Sequence, residues 1–489
     1  MAGRGIVAAG HQLSAEAGVR ALQAGGNAVD AALAAMLTSF VVEPLLTGLG
    51  AGGHMMVADG NGEPQLLDFF VESPGPRPND DAAELEAIDV SFGDAQQIFH
   101  IGPASCGVYG VPAGVCNAAR RWGTIPLTDL AAPAARLARE GVALNAQQAY
   151  IARILADLLR YTPECAALWS SAVGVLGEGE VLRNPELGDS LERLANDGAK
   201  PFYEGDIAGA VSDTIARLGG WLGRQHLRRY EAVKRPPLKV GYRDRTVLTN
   251  PPPSAGGILI AYALSLLNRG PAPPSLQALL LAMEAAQAER TPEFLEGLAH
   301  EGFTTDFLSS RLGATTHISV LDADGMACSV TTTNGEGSGI VVPGTGIHLN
   351  NMMGEQDLNP LGFHRHPAGR RMPSMMAPSL VMHDGEVELV LGSAGSNRIR
   401  SAILQTIVGV VDRGLPVGEA VRAPRVHFEG GIVYHEPGLD AEVLTAPGRQ
   451  LVRFHDLNLF FGGVQAVQRR DGVLAGAGDP RRGGVALSA

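Results

Sequence analysis

Lysine is almost missing from this 489-residue chain; it occurs only at Lys200, Lys234 and Lys239. The arginines are scattered and the formal net charge is −13. No basic run exists to neutralise a phosphate backbone, so nucleic acid is not an expected partner. Cysteine is scarce too. Cys106, Cys116, Cys165 and Cys328 form no CxxC pair and no zinc-ligand spacing, so reduced structural thiols are expected and no metal site. The single HxH, His364 and His366 in "GFHRHPAGRR", reads as a loop. Long apolar runs are also absent. The stretch "AVDAALAAMLTSFVV" contains Asp30 and is too short for a bilayer, so it reads as a buried helix. With no signal-peptide pattern and no membrane span visible, no membrane contact is expected, and the expected location is cytoplasmic, or periplasmic or secreted if a leader was removed.

What is present is apolar and glycine-rich. Hydrophobic residues make up 45% of the chain, enough for a large packed interior. The length exceeds a single typical core, so two lobes or one large layered domain are expected. "SAEAGVRALQAGG" predicts a short helix capped by Ser14 and stopped at Gly25-Gly26. Asn27 caps the next helix, which ends before Pro44. "GLGAGGHMMV" and "QLLDFFV" read as strands. "DLAAPAARLAREG", "NPELGDSLERLANDG" and "GDIAGAVSDTIARLGG" carry helical periodicity with glycine stops. "LTNPPPSAGGILIAYALSLL" predicts a proline turn entering a buried helix, and "RTPEFLEGLAHEGFTT" a solvated connector. From Thr315 onward strands dominate, with a hairpin turn at His383-Asp384-Gly385.

The stretch "ATTHISVLDADGMACSVTTTNG" reads as two strands rich in hydroxyls. Threonine suits a pleated surface, which is one sufficient reason for it. The turn allows two registers. A loop of Ala323-Asp324 pairs residues whose numbers sum to 647, and a loop of Asp324-Gly325 gives 649. Thr315 then lies opposite a residue between Thr332 and Asn334, within one pairing step of Thr333. This is either an ordinary Thr–Thr cross-strand pair or the neighbourhood of an activated hydroxyl. Downstream, "VELVLGSAGSNRIRSAILQTIVGVV" reads as strand, Gly/Ser loop and long helix. Free N–H groups and the helix dipole at Gly392 to Ser396 favour negative charge. That suits an oxyanion hole, a phosphate, or a plain connection.

Taken together, "GGNAVDAA", "GLGAGGHMMV", "GVPAGV", "RWGTIPLTDL", "NPPPSAGG", "TTHISVLDADG", "GSAGSNRI", "APRVH" and "GAGDPRRGG" resemble the γ-glutamyltransferase family of N-terminal-nucleophile hydrolases, in its order and over nearly the whole chain. The resemblance implies an α+β fold, the four-layer αββα sandwich built from two chains. It implies self-cleavage between Ala314 and Thr315. The products are a large chain of residues 1–314, with an extra helical part, and a β-rich small chain of residues 315–489. It implies Thr315 as nucleophile, with its freed α-amine of pKa about 8 as the base. It implies Thr333 as the hydrogen-bond partner of that amine, and the N–H groups of Gly395 and Ser396 as the oxyanion hole. The family usually has glycine at the second of these positions.

The substrate pocket departs from the family pattern. An arginine after the "LDF" strand grips the glutamyl α-carboxylate in the family; here Phe70 stands there. The "NNQMDDF" segment reads "NNMMGEQDL", with Met352 and Glu355 at the Gln and Asp positions. The paired serines of "LSSM" read Ser374 and Met375. Asn334, Glu355 and Ser374 are thus the expected substrate-binding residues, and Arg371 or Arg398 is the candidate replacement for the missing arginine. The expected activity is hydrolysis of glutathione-like γ-glutamyl amides, or transfer to amino acids or peptides, without a cofactor. A broader acylase of the same machinery and an uncut, non-enzymatic binding relative are the alternatives.

Overall fold

The computed structural model of the chain describes residues 4–60, 63–91, 96–289, 315–356, 358–359, 362–445 and 449–489. The connector at 290–305 and Ala314 lie outside them. Two antiparallel sheets form the centre. In the first, the order is Val233–Arg235, Gln65–Phe69, Gly52–Ala58, Ala327–Thr333, Thr316–Asp322, Gly5–Ala9, Val485–Ser488. In the second it is Leu238–Tyr242, Arg245–Thr249, Ser379–His383, Glu386–Ala394, Gly463–Arg470, Val473–Gly478.

Alternation along the strands sorts the layers, because successive side chains point to opposite faces. Ile6, Ala8, Met56, Leu66 and Leu321 of the first sheet meet Leu248, Leu380, Val390 and Val467 of the second. Val7, Ala9, Ile318, Val320 and Val330 point the other way, onto the helices Gln12–Gln23 and Ala28–Val42. On the far side, Val247, Val381, Leu389 and Leu391 face the helices Ala255–Asn268, Leu276–Ala288 and Arg398–Val411. The stack is helix, sheet, sheet, helix, the αββα sandwich that the resemblance implied. The helices Val111–Trp122, Leu127–Glu140, Pro185–Asp197 and Asp206–Arg217 extend the first helical layer.

All fifteen residues of Ala28–Val42 are buried, as expected of a helix apolar all round. Its one charge, Asp30, is consumed by a capping box: Asn27 caps the helix, and Asp30 accepts from the Asn27 and Thr124 N–H groups. The preceding helix starts earlier than expected. His11, not Ser14, is its cap, because the imidazole Nδ1 accepts the Leu13 N–H at 3.2 Å; Ser14 is buried inside the first turn. The turn at Asp384-Gly385 has positive φ at both residues, the two-residue hairpin form anticipated. All four cysteines are free thiols. His364 and His366 lie in a loop, and each points a ring nitrogen at a backbone carbonyl, of Ala104 and Leu358.

Two motifs near the C-terminus meet in one buried ion network. Arg481 bonds Glu436 at 2.7 Å and Asp479 at 3.2 Å, and Arg425 bonds Asp479 at 2.6 Å. "APRVH" and "GAGDPRRGG" are thereby tied to each other beside the second sheet, where Asp479 also accepts the Val464 N–H at 2.9 Å. Removing Arg481 takes the ion-pair partner from the buried Glu436 carboxylate and leaves Asp479 with Arg425 alone. Arg481→Leu is expected to lower the unfolding free energy by about 3–5 kcal/mol, measured by urea titration; a loss under about 1 kcal/mol would show that the network contributes little.

Candidate active site

The hairpin that carries Thr315 has neither of the two expected registers. Thr316 pairs with Thr332 and Leu321 with Ala327, so paired numbers sum to 648. The reason is a three-residue loop, Ala323-Asp324-Gly325. Asp322 N–H donates to the Met326 carbonyl at 3.0 Å, and Gly325 takes φ +94°, the left-handed residue such a loop requires. One step beyond Thr316↔Thr332, Thr315 faces Thr333. Both are buried.

The other hydroxyls of the stretch are spent on cross-links. Thr47 donates its hydroxyl to Thr332 at 2.7 Å, His317 Nδ1 meets Thr331 at 2.7 Å, and His317 Nε2 meets Ser319 at 2.9 Å. Ser319 donates to the Gln465 carbonyl and Ser329 to the Leu391 carbonyl, both at 3.0 Å; these two bonds tie one sheet to the other. Burial pushes His317 down to about 3, so it holds strands as a neutral ring.

A cavity of about 260 Å³ brings together Thr315, Thr333, Glu355, Ser374 and Ser396, residues spread over eighty positions of sequence. Phe70, Met352 and Met375 line the same space. Its walls have identifiable supports. Ala255 and Gly256 N–H groups and the Ser254 hydroxyl all donate to the Ser374 carbonyl. A Cβ at Gly256 would come within 2.0 Å of the Met375 carbonyl oxygen, so "NPPPSAGG" needs glycine there to bring this wall in. Asn359 Nδ2 donates to the carbonyls of Met352, Met353 and Glu355 and fixes the Glu355 side. Thr333 Oγ1 accepts the Gly335 N–H at 3.0 Å.

Gly395 and Ser396 link the strand Glu386–Ala394 to the helix Arg398–Val411, with φ +106° and +65°. Their carbonyls accept the first helical N–H groups, of Arg398 and Ile399. Ser396 holds a left-handed conformation that costs a side-chain-bearing residue about 1–2 kcal/mol. Its hydroxyl is buried without a hydrogen-bond partner and faces the cavity.

Three expectations for the pocket are redirected. Asn334 does not line the cavity; its amide donates to the His348 and Leu349 carbonyls, so it braces the loop behind. Arg371 lies behind Phe70, bonded to the Phe70 carbonyl, the Tyr230 hydroxyl and the Glu231 carbonyl, with Glu72 at 3.2 Å. Arg398 stacks on the Phe460 ring and donates to its carbonyl. Neither arginine lines the cavity, so among the described lining residues Glu355 is the only charged one.

Sequence reading missed Glu43. It ends the buried helix as its C-cap, accepts the Thr316 hydroxyl at 3.1 Å, and lines a second cavity at Thr315. A carboxylate directly after the apolar run "AALAAMLTSFVV" was the available signal. Burial pushes its carboxyl up to about 7, against the Thr316 bond and Arg482.

The sequence profile described as Gamma-glutamyltranspeptidase matches residues 14–305 and 300–489. The chain belongs to the γ-glutamyltranspeptidase family. It is 31% identical to the glutathione hydrolase proenzyme of Escherichia coli (strain K12), over 98% of this chain and 90% of that one. It is 30% identical to the acylase ACY 1 proenzyme of Pseudomonas sp. (strain SE83), over 99% and 93%. Its fold matches the cephalosporin acylase of Bacillus halodurans with a TM-score of 0.84 at 24% identity, over 99% and 96%. This family membership makes the chain an enzyme of the N-terminal-nucleophile hydrolase type. No helix of the described residues is long and apolar enough to cross a membrane; the expected cytoplasmic location gains no support from these relatives.

Glu43 makes stability depend on pH. Its folded value lies above the ordinary carboxylate value of 4.5, so the fold favours the protonated form. That contribution, about 3 kcal/mol, is complete below pH 4.5, declines as pH rises, and is gone above about 7. Urea midpoints across pH 4.5–8 are expected to show this decline in the wild type and to lack it in Glu43→Gln; parallel curves would place Glu43 at an ordinary carboxylate value.

Proposed function

We propose that the protein is a self-processing γ-glutamyl transferase and hydrolase with Thr315 as nucleophile. The observation that supports this is the gathering of Thr315, Thr333, Ser396, Glu355 and Ser374 around one cavity. In this reading the chain cuts itself between Ala314 and Thr315, giving chains of residues 1–314 and 315–489. A peptide-bonded threonine has no base of its own. The cut frees an amine of pKa about 8, which takes the Thr315 hydroxyl proton. The oxygen attacks the donor's γ-carbonyl carbon, and the N–H groups of Gly395 and Ser396 receive the negative charge that develops on the carbonyl oxygen. Collapse expels the amine and leaves a γ-glutamyl ester on Thr315. Water or an amino-acid acceptor then takes the acyl group. Thr333 hydrogen-bonds the freed amine and tunes its basicity. The scheme uses no metal and no cofactor.

Donor recognition in this reading rests on Glu355 and Ser374, which suit an α-ammonium group. With Phe70 in place of the arginine, the α-carboxylate has no cation among the described lining residues. The acylase reading draws on the same apolar walls, Phe70, Met352 and Met375, and on the 30% identity to an acylase proenzyme. The lone carboxylate of Glu355 favours the γ-glutamyl reading, because an acyl group that brings a second carboxylate and no amine meets a like charge.

Purified protein is expected to yield two chains on a denaturing gel, the smaller with N-terminal sequence TTHISV, and Thr315→Ala to remain whole. A single uncut band that still turns over substrate would overturn the mechanism. Thr333→Ala, once cut, is expected to lose roughly 10²–10⁴-fold in turnover while keeping its unfolding midpoint; wild-type turnover would reduce Thr333 to a strand residue.

Donor specificity separates the two readings. A γ-glutamyl anilide is expected to be a better substrate than the glutaryl anilide, but with a high KM. Phe70→Arg is expected to lower that KM roughly 10-fold by adding a charge-assisted hydrogen bond. A wild-type preference for the glutaryl anilide would favour the acylase reading.

A further inference from the structure

Five described non-glycine residues take a positive φ: Arg243, His364, Asp384, Ser396 and Asp471. Four of them are partly or wholly exposed. Ser396 alone is buried, at 3% exposure. Aspartate and histidine visit this region more readily than serine does. The Ser396 hydroxyl makes no hydrogen bond and lines the smaller cavity beside Thr315. A strained backbone and an unsatisfied hydroxyl therefore coincide at one buried position, and each calls for an explanation.

The surroundings narrow what this hydroxyl does. Ser374 Oγ accepts the Met376 N–H at 3.0 Å, and Thr333 Oγ1 accepts the Gly335 N–H at 3.0 Å. Both of those cavity hydroxyls are thus anchored to nearby backbone. Thr315 also borders the second cavity, of about 660 Å³, whose polar walls include Glu43, Gln148, Gln465 and Arg482. Ser396 is not among its described lining residues, so the hydroxyl opens on the smaller cavity. The same loop carries other free donors. The helix Arg398–Val411 has no side-chain cap. Among the described residues, neither the Gly395 N–H nor the Ser396 N–H has an acceptor. A serine hydroxyl rotates to suit its partner, so the N–H and O–H groups of Ser396 can meet on one oxygen.

We propose that the Ser396 hydroxyl is a third oxyanion donor, which hydrogen-bonds the substrate's acyl oxygen in the transition state beside the N–H groups of Gly395 and Ser396. The proposal rests on Thr315 as the nucleophile, but not on which acyl group it takes. Thr315 Oγ bonds the acyl carbon, its proton passes to the freed α-amine, and the carbonyl π pair moves onto the acyl oxygen. Three donors then converge on that charge. Return of the pair re-forms the carbonyl and breaks the carbon–nitrogen bond. The bonding electrons leave with the amine nitrogen, which takes the proton held by the α-ammonium. A hydrogen bond to an anionic oxygen is stronger than one to a neutral carbonyl, so the hydroxyl favours the transition state over the bound substrate. Glycine at this position would relieve the backbone but supply an N–H alone.

Two variants separate the hydroxyl from the strain. Ser396→Gly and Ser396→Ala both remove the hydroxyl, but only glycine relieves the φ of +65°. Ser396→Gly is expected to raise the urea midpoint and Ser396→Ala to leave it unraised. In the processed protein both are expected to lose roughly 10–100-fold in kcat with little change in KM. The loss is expected with γ-glutamyl and glutaryl anilides alike, because both present the same carbonyl. The corresponding thioanilide, with sulfur in place of the acyl oxygen, accepts hydrogen bonds weakly. The preference of the wild type for oxygen over sulfur is therefore expected to fall roughly 10-fold in both variants. Wild-type kcat in either variant, a loss confined to KM, or an unchanged preference for oxygen would overturn the proposal. So would a lower urea midpoint in Ser396→Gly, which would make the serine a part of the fold. A wild type that turns over only the glutaryl anilide would sink the γ-glutamyl reading and leave this test intact. A wild type that turns over neither would sink the Thr315 reading and this proposal with it.

Discussion

The pairing of Thr316–Asp322 with Ala327–Thr333 is the constraint on which the site depends. It lies inside the first sheet, with Gly5–Ala9 on one flank and Gly52–Ala58 on the other. A slip of one residue would turn every side chain to the opposite face. Ile318 and Val320 would leave the helical layer, and His317 would leave Thr331. Each buried hydrogen bond is worth only about 1 kcal/mol when made, but an abandoned polar group costs about 1–3 kcal/mol. The hydroxyl and imidazole cross-links are therefore weak as attractions and strong as a specification of register. They hold Thr315 opposite Thr333 at the end of the strand, where the pleat runs out between two cavities.

Electrostatics differs on the two sides of Thr315. The smaller cavity has one carboxylate, Glu355, among apolar and hydroxyl groups. The larger one has a carboxylate and a guanidinium, Glu43 and Arg482, set in a mostly aliphatic wall. Both sit in surroundings where Coulomb interactions are stronger than in water. The two arginines expected to replace the one at Phe70 are occupied elsewhere. Arg371 holds the backbone on which Phe70 sits, and Arg398 anchors the loop around Phe460. Phe70 is thus more than a lost contact, since its own carbonyl is the acceptor for the cation one would look for.

Much of the fold was legible from local pattern. The apolar run after Asn27, the glycine stops and the alternation of the late strands each report a short-range preference that tertiary packing did not override. The register of the hairpin that carries Thr315 was not legible. It turned on the φ of Gly325, which converts a two-residue loop into a three-residue one, and "DADG" is compatible with both. His11 as a cap escaped notice because an imidazole is an uncommon acceptor at that position. Thr315, Thr333, Ser396, Glu355 and Ser374 were legible through the family resemblance, and the cavity joins them. Asn334 was misplaced because strand end and loop start are adjacent in sequence but face different neighbours. Glu43, Gln148, Gln465 and Arg482 could not be grouped at all, since only the closing of the two sheets brings these four distant positions together.

The strand order has a topological consequence. Read across the first sheet, segments from before position 315 and after it alternate: three early strands, two late ones, then Gly5–Ala9, then Val485–Ser488. The second sheet likewise joins Arg245–Thr249 to Ser379–His383. The chain is woven through itself across position 315, where the proposed cut falls. A break in the backbone there opens no seam, because in both sheets strands of the two halves are hydrogen-bonded neighbours. Two halves woven in this way have no separate folded forms to dissociate into. Their association is the folding reaction itself, so pieces made apart would have to meet as unfolded partners and complement each other before either acquired a core.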